Sequence, residues 1–278
     1  MAHVEMMINQ LKRSGKYSVF IVAGLLLFIW GLETPAGILG KADAVGYAFC
    51  HRIDLRSFHI GIRQLPLCAR CTGQYVGAMI GLLFQAGVAR RRSGFPPRHI
   101  LVILALLGLA YAVDGLNSYL YLPPFLDAFP AMPHLYSPSN ALRLITGTGM
   151  GLVLAIVLYP AFVGSIFAQP DIRQSLGGLK PLFAMIGLGI LADVLILQGS
   201  MYILFPAALI STGGVIILLS LAYTTAILRI LKKENSYTSL SQISLPLSMG
   251  FLLTMSQIAL FDLIRFIITG TWSGLGFG

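Results

Sequence analysis

The sequence predicts an all-α protein, a polytopic transmembrane helix bundle with about seven spans. Only 10% of the 278 residues are Asp, Glu, Lys or Arg, whereas a soluble domain has about 25%. Hydrophobic residues make up 56% of the chain, and the mean hydropathy is +0.82. So few charged side chains cannot cover the surface of a soluble fold of this size, and the abundance of apolar side chains excludes intrinsic disorder.

Seven apolar stretches are long enough to cross a bilayer as helices, which takes about 20 residues each. The first follows a basic segment, as a signal peptide does, but the residues around Ala36 make a poor cleavage site, so we expect an uncleaved helix. Residues 1–16 are predicted to be a cytoplasmic N-terminal segment, and residues 17–278 a single transmembrane helical domain. The predicted spans are Tyr17–Leu39, Thr72–Ala89, His99–Leu122, Leu142–Ala168, Pro181–Gln198, Met201–Leu228 and Leu245–Thr269.

The distribution of charge predicts the orientation of the bundle. With a cytoplasmic N-terminus, the inner segments hold twelve of the 19 Lys and Arg residues and three of the ten acidic residues, and the outer half holds seven of each. Because cytoplasmic loops carry an excess of Lys and Arg, we expect a multi-pass protein of the cell (inner) membrane with its cysteine-containing loop outside. The net charge of +9 then reflects topology, and no nucleic-acid partner is expected.

Polar and ionisable residues within the spans concentrate at the predicted outer ends of the helices. An ionised side chain in hydrocarbon costs at least about 2.5–3.5 kcal/mol, so such residues face a cavity or one another. A shared polar pocket open to the outer side is predicted, with structural hydrogen bonds and ion pairs between helices as the alternative. Asp262 and Arg265, one helical turn apart, are expected to neutralise each other. The residues concerned are Glu33, Asp114, Asn117, Ser118, Asn140, Arg143, Thr146, Asp193, Gln198, Asp262 and Arg265.

All three cysteines lie between the first and second predicted spans. Cys68 and Cys71 form a C-x-x-C pair, and Cys50 with His51 would complete a Cys3His site for zinc, with His59 as the less favoured fourth ligand. Side chains of adjacent residues diverge, which argues against Cys50 and His51 both reaching one ion. In an oxidising compartment the C-x-x-C could instead be a redox pair with Cys50 as the resolving thiol, or form a structural disulfide.

Arginines are concentrated in the same loop. Guanidinium groups bind the oxygens of phosphate or carboxylate in pairs, so these arginines could hold the anionic head of a lipid-like substrate. Snorkelling of the side chains to phospholipid headgroups is the alternative. The predicted anion-binding residues are Arg52, Arg56, Arg70, Asn140 and Arg143.

A series of residues in the first half of the chain resembles a known family. The series is Cys50-His51-Arg52, Arg56-Ser57-Phe58, Gly61, Pro66 and Cys68-Ala69-Arg70-Cys71-Thr72-Gly73, then Asp114-Gly115 with Asn117, then Asn140 with Leu142-Arg143 and Thr146-Gly147. It resembles a domain-of-unknown-function family of predicted prokaryotic integral membrane proteins with a CHR…RSF…CARCTG signature, over about residues 46–151. Relatives tend to have Asp-Gly-x-x-Gln where this chain ends in Ser118. The resemblance implies a membrane class and one grouped site but no reaction.

Three functions are compatible with these patterns. The first is a metal-dependent membrane enzyme that acts on an amphipathic anion near the outer leaflet, with Asp114 and Asn117 as catalytic residues. The second is a non-catalytic subunit of a membrane complex, with a zinc or disulfide staple. The third is a thiol-disulfide oxidoreductase, or a transporter of lipids or small molecules. Membrane lipids are the expected partners, joined by other membrane subunits in the second case, and the sequence does not decide whether the protein is an enzyme.

Overall fold

The computed structural model describes residues 2–128 and 135–273, with side chains at all of these positions except 2–16, 123–124 and 240–241. The predicted cytoplasmic cations Lys12, Arg13 and Lys16 therefore lie outside the described side chains. The helices within the described ranges are α1 (Ala2–Glu33), α2 (Ile38–Phe49), α3 (Ala69–Val88), α4 (Arg98–Leu120), α5 (Pro123–Ala128), α6 (Asn140–Ile166), α7 (Leu179–Leu197), α8 (Met201–Ile230) and α9 (Ser244–Thr269).

Two short ribbons join these helices. Strands β1 (His59–Ile60) and β2 (Arg63–Gln64) form an antiparallel hairpin in the loop between α2 and α3, with His59 opposite Gln64. Strands β3 (Arg92–Gly94) and β4 (Asp171–Gln174) pair in parallel and connect the loops before α4 and after α6. Helices make up most of the described chain, and the strands are only two to four residues long. The predicted all-α polytopic helix bundle is therefore confirmed.

The number of spanning helices is lower than predicted. Within residues 2–128 and 135–273, five helices are long and apolar enough to cross a membrane: α4, α6, α7, α8 and α9. Residues Tyr17–Glu33 and Ile38–Phe49 qualify together as a sixth span, although they are bent by 103°. Helix α3, which contains the predicted span Thr72–Ala89, is not among them, because Gln74, Gln85 and four glycines lower its hydropathy. Which face of the bundle is cytoplasmic stays a prediction.

The first predicted span, Tyr17–Leu39, is wrong at its end. Helix α1 stops at Glu33, and α2 begins at Ile38 in a new direction. Proline has no backbone N–H with which to continue a helix, and Pro35 stands within this connection. Gly37 has a φ of 80°, a conformation that glycine adopts without strain. After the break, α2 runs at an angle of 103° to the preceding helix, and its last residue comes directly before Cys50.

Helix α3 packs tightly against α6 through glycines that recur every four residues on both helices. They are Gly73, Gly77 and Gly81 of α3 and Gly147 and Gly151 of α6. A Cβ atom added at Gly73 or Gly77 would collide with backbone oxygens of α6, and one at Gly147 or Gly151 with backbone oxygens of α3. Such stripes let two helix backbones approach closely. The close approach fixes the start of α3, which carries Cys71, beside the start of α6.

Replacement of Gly151 by alanine should therefore destabilise the protein. The new methyl group would overlap the carbonyl oxygen of Gln74 in α3, and overpacking of this kind costs about 1–3 kcal/mol. Gly108→Ala in α4 is the matched control, because a Cβ atom there meets no atom within 4 Å. Thermal unfolding of the purified variants in a neutral detergent measures the effect. Equal unfolding temperatures for the two variants would contradict the close packing of α3 on α6.

Candidate functional site

The three cysteines converge at the junction of α2 and α3. Cys50 follows the last residue of α2, Cys68 directly precedes α3, and Cys71 lies in the first turn of α3. Their Sγ atoms all lie within 4.8 Å of one another. In a tetrahedral zinc site with Zn–S bonds of about 2.3 Å, the sulfur atoms are separated by about 3.8 Å. The three sulfurs could therefore hold a metal ion with small side-chain adjustments.

Backbone amides already point at the sulfur of Cys50. The N–H of Arg52 lies 3.4 Å from Cys50 Sγ, and the N–H of Cys68 lies 3.3 Å from it. Arg52 adopts a φ of 51°, in the left-handed region that residues other than glycine seldom adopt. A hydrogen bond donated to sulfur favours the thiolate, so the Cys68 amide offsets part of the effects that raise the pKa of Cys50.

The rest of the loop is held together by its own contacts. Gln64 donates to the carbonyl oxygen of Arg52 over 3.0 Å and to the hydroxyl of Ser57 over 2.8 Å. Gly46 of α2 lies against the backbone of Pro66, where a Cβ atom would collide. These contacts place Cys50 next to Cys68 although 17 residues separate them in the chain.

One thiol of the cluster is predisposed to ionise. The pKa of Cys68 lies well below its usual value, because the thiols of Cys50 and Cys71 donate hydrogen bonds to it and the Arg70 guanidinium is close. The pKa of Cys50 is raised to about 12, chiefly by its hydrogen bond to Cys68 and by burial. Of the thiols in the cluster, Cys68 is thus the one that loses its proton most readily, and a bound metal would displace protons from the other thiols.

A cavity of about 260 Å³ opens beside the cysteines. Its walls combine the three cysteines with aromatic side chains and arginines: Phe49, Cys50, His51, Arg52, Ile53, Arg56, Cys68, Arg70, Cys71, Tyr111, Gly115, Tyr119 and Arg143. Four of the five predicted anion-binding residues are therefore brought to the cysteine cluster.

Two of these four arginines form ion pairs with carboxylates. Arg52 forms an ion pair with Asp43 of 3.1 Å, and Asp43 also binds Arg63. Arg70 binds Asp114 through both Nε and Nη2, and donates to the hydroxyl of Ser118 over 2.9 Å. The charge of Arg70 is therefore balanced by Asp114, whereas Asp43 is shared by Arg52 and Arg63, and that group of three side chains keeps one positive charge.

The other two arginines have no carboxylate partner within ion-pair distance in the described part of the chain. Arg56 donates to the carbonyl oxygen of Ser118 over 2.7 Å, and Arg143 donates to Asn140 Oδ1 over 2.8 Å. The Nε atom of Arg143 is buried without a hydrogen-bond partner. The pKa of Arg56 is lowered, first by burial and then by repulsion from Arg70. An anion in the cavity would relieve both the repulsion and the unsatisfied donor.

The predicted catalytic residues lie behind the cavity wall. Asp114 is 1% exposed, and it accepts hydrogen bonds from Arg70, from Tyr136 over 3.0 Å and from Thr146 over 3.3 Å. Asn117 is bonded to the backbone of residues 135 and 136. Neither residue is among those lining the cavity. This arrangement suits a role in positioning Arg70, and direct action on a substrate stays a prediction.

His51 and Asn140 are placed differently from the sequence expectation. His51 lines the cavity, but its ring packs edge-to-face on Tyr119 at 6.1 Å and is not part of the cluster of converging ligand atoms. His59 binds Asp54 over 2.8 Å. Asn140 donates to the loop carbonyls of Leu55 and Ser57 at 3.3 and 3.4 Å, which ties α6 to the loop.

The expected neutralisation of Asp262 by Arg265 is wrong. Arg265 instead lies over the ring of Tyr47 at 4.0 Å and donates to the carbonyl oxygens of Tyr47 and Cys50, over 2.5 and 2.6 Å. It thereby satisfies carbonyl groups at the end of α2, where a cation is favoured by the helix dipole. Asp262 is paired with Trp30.

The cavity also has aromatic walls on α4 that are not predicted from the sequence. Tyr111 and Tyr119 line the cavity from α4, and Gly115 stands between them. The three residues are four positions apart and therefore share one helix face. That spacing was visible in the sequence, and the glycine between two tyrosines marks the face that opens to the cavity.

Comparison with known proteins places this site in a family. Residues 50–157 match the family described as "Predicted membrane protein (DUF2085)". An uncharacterized protein of Methanocaldococcus jannaschii is 29% identical over 126 residues, which is 45% of this chain and 71% of that protein. An uncharacterized protein of Methanothermobacter thermautotrophicus is 31% identical over 108 residues, or 39% of this chain and 82% of that protein. No solved structure matches the chain.

Proposed function

This chain belongs to the DUF2085 family of predicted membrane proteins, and we propose that it holds a zinc ion on Cys50, Cys68 and Cys71 and binds the anionic group of a lipid-like molecule beside it. The observation that carries the proposal is a single cavity lined by three converging sulfurs and by two arginines without carboxylate partners in the described residues. We place this cavity at the outer leaflet, as the charge distribution predicts.

The number of converging ligands supports a zinc site with an open position. Catalytic zinc has three protein ligands and leaves a fourth position for water or substrate, whereas structural zinc is closed by four. Three cysteines converge here, and the His51 ring packs on Tyr119. A zinc ion in such a site would activate water or polarise a phosphoryl or carbonyl oxygen.

The charges of the cavity support an anionic ligand. Three thiolates with one divalent ion carry a net charge of minus one, and Arg56 and Arg143 together carry two positive charges. The cavity therefore keeps a positive charge after metal binding. Planar guanidinium groups recognise phosphate and carboxylate by paired hydrogen bonds. In this proposal Asp114 and Asn117 position Arg70 and the neighbouring loop.

A lipid-like body for the ligand is supported by the apolar surroundings. A second cavity, of about 380 Å³, shares Phe49, Cys50 and His51 with the first. Its other walls include Phe261, Ile264 and Ile268 of α9. An anionic head beside the cysteines could thus be continuous with an apolar chain along α9.

A redox function is the second candidate, because Cys68, whose pKa is lowered, lies next to two further thiols. Attack of a thiolate on a disulfide is the step that such an enzyme uses. In that case the purified protein would contain a disulfide and no stoichiometric metal.

Anion binding is tested by titrating the zinc-loaded protein, in a neutral detergent, with decyl phosphate and with decanol. We expect decyl phosphate to bind to the wild-type protein. Arg56→Gln and Arg143→Gln should each weaken the affinity for decyl phosphate by about tenfold or more, because a charged hydrogen-bonding partner is lost from a buried site. Arg63→Gln is the matched control, because Arg63 pairs with Asp43 and does not line the cavity. Equal binding by all variants, or equal binding of decanol, would reject the proposed anion site.

A further inference from the structure

A third cavity, of about 330 Å³, lies between α1 and α9, apart from the cysteine cluster. Its walls are mainly apolar and aromatic, and include Leu26, Trp30, Leu263, Phe266 and Trp272. The polar groups that reach it include the carboxylates of Asp262 and Glu33. The cavity thus combines aromatic faces with acidic side chains, in contrast to the arginine-lined cavity.

Asp262 is an incompletely satisfied group in this cavity. It is 3% exposed, and its Oδ2 accepts a hydrogen bond from Trp30 Nε1 over 2.9 Å. Its Oδ1 is buried and has no hydrogen-bond partner. Among the described side chains, no Lys, Arg or His forms an ion pair with it, because Arg265 is engaged with the end of α2.

A buried carboxylate of this kind requires a donor. An unsatisfied buried acceptor costs about 1–3 kcal/mol, and more when it is charged. A group with an N–H and a positive charge would satisfy Oδ1 and neutralise the carboxylate together. The aromatic faces of Trp30 and Trp272 would add cation–π attraction, which is strongest for tryptophan.

We propose that the cavity between α1 and α9 binds a primary or secondary ammonium group carried on an apolar body. The apolar walls accommodate the body, and Asp262 Oδ1 receives the N–H. A quaternary ammonium has no N–H to donate, so it lacks the hydrogen bond that the orphaned oxygen requires. An amphipathic amine and the ethanolamine headgroup of a lipid both supply the required chemistry.

The two tryptophans of the chain, Trp30 and Trp272, both line this cavity, so the intrinsic tryptophan fluorescence reports on it directly. The purified full-length protein in dodecyl maltoside is titrated with decylammonium, decyltrimethylammonium and decanol. We expect decylammonium to cause saturable quenching or a spectral shift. Decyltrimethylammonium and decanol should each bind at least about tenfold more weakly than decylammonium. Equal responses to all three compounds would show only apolar partitioning and would overturn the proposal.

Asp262→Asn is the decisive variant, because it keeps the shape of the side chain and removes the charge. We expect it to weaken decylammonium binding by about tenfold or more and to leave the response to decanol unchanged. Asp193→Asn is the matched control, because Asp193 is also a buried acid but does not line this cavity. Undiminished binding by Asp262→Asn, or an equal loss in Asp193→Asn, would contradict the proposal.

The source of the ammonium is distinguished by reconstitution into bilayers. If phosphatidylethanolamine shifts the tryptophan emission of the wild-type protein but not that of Asp262→Asn, the ligand is a lipid headgroup. A response to decylammonium without a response to phosphatidylethanolamine identifies a free amine. No response of the wild-type protein to either would reject an ammonium site.

Discussion

Replacement of Cys68 by serine is expected to leave the purified protein almost free of zinc, whereas the wild-type protein should carry about one zinc ion per chain. A serine hydroxyl does not ionise at neutral pH, so two of the three converging ligands would remain. Loss even of an outer hydrogen-bond partner typically costs 10–100-fold in metal affinity, and we expect the loss of a ligand to cost at least about a hundredfold. Elemental analysis of protein purified in a neutral detergent measures the stoichiometry.

His51→Ala is the control for this experiment. Because the His51 ring packs on Tyr119 outside the sulfur cluster, the variant should retain zinc. Loss of zinc from His51→Ala would indicate a closed site of four protein ligands, and therefore a structural staple. Stoichiometric zinc in Cys68→Ser would reject the cysteine ligands. A metal-free wild-type protein with an intact mass that shows a disulfide would favour the redox function instead.

The pH dependence of zinc loading provides an independent check. Thiols must lose their protons to bind metal, so zinc affinity falls as the pH falls. In the metal-free cluster the pKa of Cys68 is low but that of Cys50 is raised to about 12, so zinc must displace a proton from Cys50 throughout the neutral range. We expect zinc retention against a chelator to weaken steadily on acidification. Retention that does not change with pH would contradict thiolate ligation.

The class of fold could be predicted from composition because a membrane imposes a strong constraint. Side chains that face lipid must be apolar, and this requirement alone produces the long apolar runs of α4, α6, α7, α8 and α9. The same logic fails for α3, which packs against α6 and α8 inside the bundle. Its hydropathy is lowered by Gln74 and by Gln85, whose side chain binds the Ala155 carbonyl over 2.9 Å.

The cysteine cluster could be predicted because local sequence determines it. A C-x-x-C at a helix start keeps its two sulfurs together, and the only other cysteine lies in the same loop. The state of the arginines could not be predicted in this way. Arg70 forms an ion pair with Asp114, which lies 44 residues away, and Arg52 forms one with Asp43 of α2. Only the tertiary structure, in which Arg70 of α3 reaches Asp114 of α4 and Arg52 reaches Asp43 of α2, shows that Arg56 and Arg143 remain without such partners in the described residues.

The expected pairing of Asp262 with Arg265 failed for a related reason. Residues three apart on a helix are neighbours, but each side chain selects the strongest partner that tertiary packing offers. Arg265 reaches several carbonyl groups at the end of α2, and Asp262 reaches the indole N–H of Trp30. Helical spacing therefore predicts which side chains share a face but not which of them form a pair.

Asp114→Asn is expected to be among the most destabilising single substitutions in the bundle. Asp114 is 1% exposed and forms an ion pair with Arg70, which is 12% exposed. Removal of one partner of a buried ion pair costs about 3–5 kcal/mol, because the other charge stays buried without compensation. Arg70 would then add an unbalanced charge next to Arg56 and Arg143. Thermal unfolding in a neutral detergent should show a large fall in the unfolding temperature.

The double variant Asp114→Asn with Arg70→Gln separates the ion pair from the packing of the two side chains. If the pair itself carries the effect, the double variant should be more stable than the sum of the two single changes predicts, because no uncompensated charge remains. Strictly additive losses would instead indicate that Asp114 acts through Tyr136 and Thr146, its other hydrogen-bond partners. The interaction energy therefore decides whether Asp114 serves to hold Arg70 at the cavity wall.

Asp193→Asn is the matched control for the loss of a buried acid. Asp193 is 4% exposed and accepts a hydrogen bond of 2.6 Å from Thr148, but it forms no ion pair within the described part of the bundle. An asparagine oxygen can accept the same hydrogen bond, and removal of an uncompensated carboxylate relieves its desolvation. The control should therefore leave the unfolding temperature unchanged or raise it. A loss equal to that of Asp114→Asn would show that burial of the side chain, and not its pairing with arginine, determines the stability at both positions.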